Sequence, residues 1–373
     1  MGGELLLTGA TGFVGMEVLG RYLESSDDQI IAPVRAADDR AAAERIRGTL
    51  RELFGIRARR YERRVKGVAT DLTKPDLGIC RARRDELAGR VDRIIHSAAS
   101  VSFGLPLEES RQINLEGTRR VLELAELVHE RGGLEQYAHV STAYIAGTYS
   151  GRFHEDDHDV GQGFRNTYEQ SKFEAEQLVR DKRELPTTIL RPSIVVGDRR
   201  SGWTAAFNVL YWPLRAFARG LYPAVPAIPT APVDVVSVDY VADAIYSLCQ
   251  SRAGVGKTYH VTAGRHVSSV GELVEAASRY FERPPPQVLE PAEFEDFAKG
   301  LTGVQRSAIG ESAVFFPYFA CSTEFDNTHA RARLEPAGIN ASPLASYLER
   351  LLDFATRTRW GKRPVSRVEA LAA

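Results

Sequence analysis

Tyr168 and Lys172 stand four apart in YEQSK (168–172), so on a helix they share one face. A phenol beside a lysine ammonium is an acid–base pair. Nearby positive charge favours the phenolate and is expected to draw the tyrosine from its ordinary pKa of about 10 toward working pH. Thr142, closing VST (140–142), offers a hydroxyl from a strand tip. The three suit the task of holding and protonating a carbonyl oxygen while hydride reaches its carbon. Taken alone, a Tyr/Lys pair at this spacing is an ordinary exposed helix face, so its meaning depends on what lies upstream.

Upstream lies TGATGFVG (8–15), with glycines at 9, 12 and 15, preceded by an apolar run and followed by a helical pattern. Gly9 permits a tight turn, Gly12 lets backbone approach a diphosphate, and Gly15 allows close helix–strand packing. The helix N-terminus then offers N–H groups to the anion. At the end of the second strand, where an acid would bind a ribose 2′-hydroxyl, the chain reads APVRAADD (32–39). Arg35 there, flanked by Arg45, suits a 2′-phosphate, so NADPH is expected over NADH.

These residues need a scaffold. Strand-like runs at 4–9, 29–34, 64–69, 93–99, 136–142 and 187–197 alternate with helical patterns at 13–24, 39–54, 109–131 and 167–182. Such alternation predicts an α/β fold, a Rossmann doubly wound parallel sheet. After Gly197 the pattern breaks into proline and aromatics, then returns at 233–236, 238–249 and 257–263. The expected organisation is a nucleotide-binding domain of 1–197 plus 233–262. A smaller, discontinuous, mostly helical substrate-binding cap takes 198–232 plus 263–373.

The chain has 373 residues, 43% hydrophobic and 26% charged, which allows a sizeable core. Its net charge of −1 argues against a dedicated nucleic-acid binder. Cys80, Cys249 and Cys321 form neither a CxxC pair nor a metal-ligand spacing, which excludes a disulfide framework and points to a reducing cytoplasm. Leu5-Leu6-Leu7 follows the start too closely for a secretory leader, and prolines and arginines interrupt 203–233, so no spanning helix is expected.

TGATGFVG, Asp71-Leu72, HSAAS (96–100), INLEGT (113–118), HVSTAY (139–144), Tyr168/Lys172 and LRPS (190–193) together resemble an extended short-chain dehydrogenase/reductase. PVRAADD, NTYEQSKFEAEQLV (166–179) and ILRPSIVVGDRRSGW (189–203) resemble more narrowly the fatty acyl-CoA reductases and the thioester reductase domains of carboxylic acid reductases and peptide synthetases. The resemblance covers about residues 4–262. It implies a cofactor site of Thr8, Gly9, Thr11, Gly12, Phe13, Val14, Gly15, Arg35, Arg45, Asp71, Leu72, Ala98, Ala99, Ser100, Ser141, Tyr168, Lys172, Pro192, Ser193, Ile194 and Val195. It also implies catalysis by Thr142, Tyr168 and Lys172, with Asn114 in the active-site helix. His96 reads as a satisfied core histidine at least as readily as a chemical group, and Asp239 as a helix cap. The implied reaction is NADPH-dependent reduction of an acyl thioester, carried by coenzyme A or a carrier protein, to an aldehyde and onward to an alcohol if a second hydride follows.

Trp203, Phe207, Tyr211 and Trp212, in the segment after LRPS, are the expected acyl contacts. Basic clusters at Arg57, Arg60 and Arg64, and at Arg81, Arg83 and Arg84, read either as solvated faces or as docking sites for an acidic carrier or coenzyme A phosphates. The chain opens almost at its first strand, so the thioester is expected from another molecule; a homodimer is compatible with the sequence. A ketone or steroid reductase, or a nucleotide-sugar epimerase or dehydratase, would share the loop and the Tyr/Lys pair. Arg35 counts against the NAD-preferring ones. A non-enzymatic NADPH sensor would have no use for Thr142, Tyr168 and Lys172 together.

Overall fold

Leu5, Leu6 and Leu7 are fully buried, as a strand covered on both faces requires. In this computed structural model, which describes residues 3–301 and 303–372, that strand is an interior strand of a parallel sheet. Met1, Gly2, Thr302 and Ala373, which belong to the expected segments, lie outside the described residues. The sheet strands are β1 (Glu4–Thr8), β2 (Gln29–Arg35), β3 (Val65–Thr70), β4 (Arg93–His96), β5 (Gln136–Val140), β6 (Thr187–Pro192) and β7 (Lys257–Val261). Their spatial order is β7-β6-β5-β4-β1-β2-β3, all parallel. The order reverses between β1 and β4, and such a switch point opens a crevice at the C-terminal strand ends.

The helices follow local signals. No side chain caps the first turn of α1 (Phe13–Ser25), which leaves its N–H groups available. Asp38 caps α2 (Asp39–Phe54) by accepting from the Ala41 N–H at 2.7 Å, and Gly55, at φ 56°, ends it. The short α3 (Arg81–Ala88) was not anticipated: RARRDELA is almost wholly charged and shows little apolar period. On one face of the sheet α4 (Leu107–Glu130) packs along α5 (Thr167–Asp181), bridged by Arg111 and Glu174 at 2.6 Å. On the other, α1 packs against the helix Val238–Cys249, with Arg21 and Asp243 at 2.6 Å.

Beyond Gly197 a second apolar cluster gathers Leu210, Tyr211, Phe217, Val225, Phe294, Phe316 and Leu351 above the strand ends. Short strand pairs knit it, 151–153 with 323–325 and 224–226 with 287–289. The tail does not stay with that cluster. The helix Arg367–Ala372 packs on α2, Arg367 Nε lies 2.9 Å from Glu17 Oε1 on α1, and Trp203 Nε1 donates to Val365 O at 3.0 Å. Ala330, Leu334 and Phe354 also join the sheet-side core. The apolar residues of 263–373 thus divide between two cores.

Candidate active site

The nucleotide loop is built by close approach. Gly9 sits at φ 75°, and a Cβ there would lie 2.7 Å from the Ala98 nitrogen; one on Gly15 would lie 2.1 Å from the Gly9 oxygen. Neither position tolerates a side chain, so β1, the glycine loop and α1 lock together and against the 97–100 loop. Thr8 braces it further, its hydroxyl accepting from the Ser97 and Ala98 N–H groups at 3.1 Å each. His96 is a core histidine: its ring nitrogens meet Thr8 Oγ1 at 2.7 Å and Thr118 Oγ1 at 3.0 Å, and burial drives its pKa down to about 3.

A cleft of about 680 Å³ runs over the loop to the ends of β5 and β6. Every expected cofactor residue lines it, from Thr8 through Gly15, Arg35, Arg45, Asp71, Leu72 and Ala98 to Ser141, Pro192 and Val195; so do Thr142, Tyr168 and Lys172. Arg35 and Arg45 are exposed, the Arg45 guanidinium donates to the Arg35 carbonyl at 2.5 Å, and neither forms an ion pair among the described residues. The neighbouring acids are already engaged. Asp38 caps α2, and Asp39 accepts from the Ala69 N–H at 2.8 Å and pairs with Arg83 at 3.2 Å. Asp71 accepts from the Thr73 hydroxyl at 2.7 Å, a bond that holds its carboxyl below the usual range.

At the other end, Asn166 caps α5 and accepts from the Glu169 N–H at 3.0 Å, which fixes the first turn carrying Tyr168. Lys172, one turn on, is buried; its Nζ donates to Val140 O at 2.9 Å and lies 3.3 Å from His139 Nε2. Burial keeps His139 neutral, so that nitrogen can accept. Burial also brings Lys172 down to about 8, against an opposing pull from Glu176. Tyr168 is half-buried, and desolvation pushes its phenol up to about 12 despite the Thr142 hydrogen bond to it. The Lys172 ammonium is turned to β5, and the loss of water around the phenol is the largest influence on it. Ser141 Oγ, also on the cleft, is buried and unpartnered.

Other expectations fall elsewhere. Asn114 does not line the cleft. Its amide clamps the Ser100 backbone, accepting from the N–H at 2.8 Å and donating to the carbonyl at 3.1 Å, so it positions the 97–100 loop. Asp239 is no cap; it holds Arg199 through Nε at 2.8 Å and the backbone N–H at 3.0 Å. None of Trp203, Phe207, Tyr211 and Trp212 lines the cleft. Trp203 is fully buried against Phe13, with ring centroids 6.3 Å apart; the Tyr211 hydroxyl accepts from the Gly197 N–H at 3.0 Å; Trp212 is 40% exposed. The same segment instead sends Ala206, Asn208 and Val209 to the cleft, joined by Phe103, Tyr144 and Tyr318. Sequence reasoning missed these last three because distant segments bring them together.

The first basic cluster faces away from this site. Residues 55–64 connect the end of α2 to the start of β3, hence lie at the N-terminal edge of the sheet, opposite the cleft. Arg64 is spent there, donating to the carbonyls of Asp28 at 3.0 Å and Leu23 at 3.0 Å. A carrier docked on Arg57, Arg60 and Arg64 would face the wrong edge. Arg83 and Arg84 pair with Asp39 and Asp76. Among the described residues, the three cysteines are free, no group of side chains could hold a metal, and no helix is long and apolar enough to cross a membrane.

Comparison with known proteins agrees with this architecture. Residues 7–245 match the family model described as male sterility protein, an NAD-binding family. The chain is 32% identical over 258 residues to the L-2-aminoadipate reductase large subunit of Penicillium chrysogenum, covering 64% of this chain and 18% of that protein. It is 30% identical over 327 residues to the isonitrile lipopeptide synthase of Streptomyces coeruleorubidus, covering 86% and 21%. It thus spans about a fifth of the length of these relatives. The terminal R domain from the myxalamid PKS-NRPS biosynthetic pathway superposes with a TM-score of 0.83 at 26% identity, covering 97% of this chain and 92% of that one. The chain belongs to the male sterility protein family of NAD-binding reductase domains, within the extended short-chain dehydrogenases/reductases.

Proposed function

We propose that the protein reduces acyl thioesters to aldehydes with NADPH, through Thr142, Tyr168 and Lys172. The observation that carries this reading is the cleft itself, which joins a glycine loop that tolerates no side chain to the Thr/Tyr/Lys group at its far end. The relatives add support, being a reductase by name and the terminal R domain of a biosynthetic pathway. Arg35 and Arg45, free of acids, fit a 2′-phosphate, whereas Asp38 and Asp39 are too occupied to serve a 2′-hydroxyl. Ser141, with its orphaned hydroxyl, fits the nicotinamide end.

Bound NADPH supplies the hydride to the carbonyl carbon. Tyr168, kept protonated by its burial, donates its proton to the carbonyl oxygen, and Thr142 holds the same oxygen. Charge grows on that oxygen as the carbon becomes tetrahedral, so both hydrogen bonds strengthen in the transition state. A charged Lys172 has three donors; with two directed at Val140 O and His139, one remains for a ribose hydroxyl. The resulting hemithioacetal loses its hydroxyl proton as the carbon–sulfur bond breaks. The sulfur leaves as a thiol of pKa about 8.5, an acceptable leaving group. The balance is one hydride and one proton taken up, one aldehyde and one thiol released. A second round would give the alcohol.

The thioester is carried by coenzyme A or by a carrier protein. Loss of NADPH absorbance with coenzyme A and carrier-bound acyl thioesters, ketones and nucleotide sugars tests the reading. Turnover confined to thioesters is expected; turnover confined to ketones or nucleotide sugars overturns it.

A further inference from the structure

Beside Tyr168 the cleft is walled by rings. Phe103, from the loop after β4, lies 5.6 Å from Tyr168 and 5.6 Å from Tyr318, nearly parallel to the latter. Tyr144 meets Tyr318 edge-on at 5.0 Å. Tyr318 is held firmly: its hydroxyl donates to Glu169 Oε1 at 2.7 Å and accepts from Asn166 Nδ2 at 2.8 Å. Val209 and the exposed Val101 complete the wall.

The charges are equally informative. Among the described residues that line the cleft, Asp71 is the one carboxylate, and it lies beside Leu72 and Thr73 at the end remote from Tyr168. Glu169 is buried behind Tyr318, one oxygen on that hydroxyl and the other accepting from the Arg165 N–H at 2.9 Å. The Arg165 guanidinium lies 5.7 Å from the Tyr318 ring. An ammonium entering here would meet no counter-charge on the wall, and the Glu169 carboxylate behind it is already paired with the Arg165 guanidinium at 3.5 Å.

We infer that Phe103, Tyr144 and Tyr318 form the acyl site and select an uncharged, apolar acyl group over an aminoacyl group. This rests on the thioester-reductase reading and sets the chain apart from the amino acid in the name of its aminoadipate relative. Shedding the hydration of an ammonium without a partner is costly, whereas an alkyl chain gains by leaving water.

Hexanoyl and norleucyl groups differ only by the α-ammonium, so they make the decisive pair. Two measurements on the NADPH-loaded protein use them. The first is binding of pantetheine analogues in which an amide nitrogen replaces the thioester sulfur and blocks reduction. The second is turnover of the true thioesters. The hexanoyl analogue is expected to bind at least about tenfold tighter, with kcat/KM ordered the same way. Phe103→Ala should weaken hexanoyl binding about tenfold, Phe103→Leu less, and the remote Trp212→Ala not at all. Equal binding of the two analogues, or none, overturns the inference. Selective binding without turnover of either thioester upholds the acyl site and overturns the reductase reading instead.

Discussion

Each polar group at the catalytic end has one task that burial enforces. A phenol raised to about 12 stays protonated near neutral pH, so its proton is in place for donation, as reduction of a carbonyl requires. Tyr168→Phe should lower kcat by about a hundredfold or more while NADPH binding, read by fluorescence, stays within about twofold. Lys172 titrates near 8, being charged below that pH and neutral above it. If its ammonium holds the cofactor ribose, kcat/KM for NADPH falls as pH rises through about 8, and Lys172→Met flattens that limb. At the opposite end, Arg35→Glu should raise the KM for NADPH by about tenfold or more and leave NADH nearly unchanged, since hydrogen bonds to charged groups contribute about 1.5–3 kcal/mol each. Residues that act through local motifs were legible beforehand: the glycines, Arg35, Asp71, Thr142 and Tyr168 all reach the cleft. The acyl wall was not, because Phe103 and Tyr318 come from segments more than two hundred residues apart and neither sits in a motif. The aromatics of 203–212 were the more conspicuous signal, yet they pack inward or face solvent.

Among the elements, the loop between β1 and α1 has the least freedom. Gly15→Ala would drive a methyl into the Gly9 carbonyl, so the loop must open or the helix shift. A stability loss of about 2 kcal/mol or more is expected, together with loss of NADPH binding in calorimetry. Elements with strong local punctuation were readable almost to the residue. The helix 39–54 begins at the Asp38 cap and ends at Gly55, and 238–249 has a clean apolar stripe. The helix 81–88 lacks such a stripe, burying only Leu87 and Ala88, so its arginines read only as a basic cluster. The two- and three-residue strands that stitch the second cluster are below the length at which alternation can be recognised.

Across the whole molecule, the tail ties the far end of the chain back to the nucleotide-binding layer. Glu17 is buried in α1 with its pKa raised to about 7 by desolvation, while the nearby Arg367 guanidinium pulls it down. A carboxyl whose folded pKa exceeds its unfolded value of about 4.5 destabilises the fold progressively as pH rises from about 4.5 to 7. Arg367→Met removes the compensating charge, so its Tm loss should be larger at pH 8 than at pH 5.5, corresponding to about 3 kcal/mol at the higher pH. An equal loss at both would show that Arg367 acts by packing alone. This long-range pair has no signal in the sequence, since Glu17 and Arg367 lie at opposite ends of the chain and neither sits in a motif.

Hydride delivery to a thioester carbon is the central claim, and isotope transfer tests it most directly. The protein is incubated with hexanoyl-pantetheine and NADPH carrying deuterium at both C4 positions, and the trapped product is analysed by mass spectrometry. One deuterium on the aldehyde carbon is expected, with an equal amount of free thiol and almost no product from Tyr168→Phe. Thiol release without aldehyde, or aldehyde without deuterium, would contradict the account.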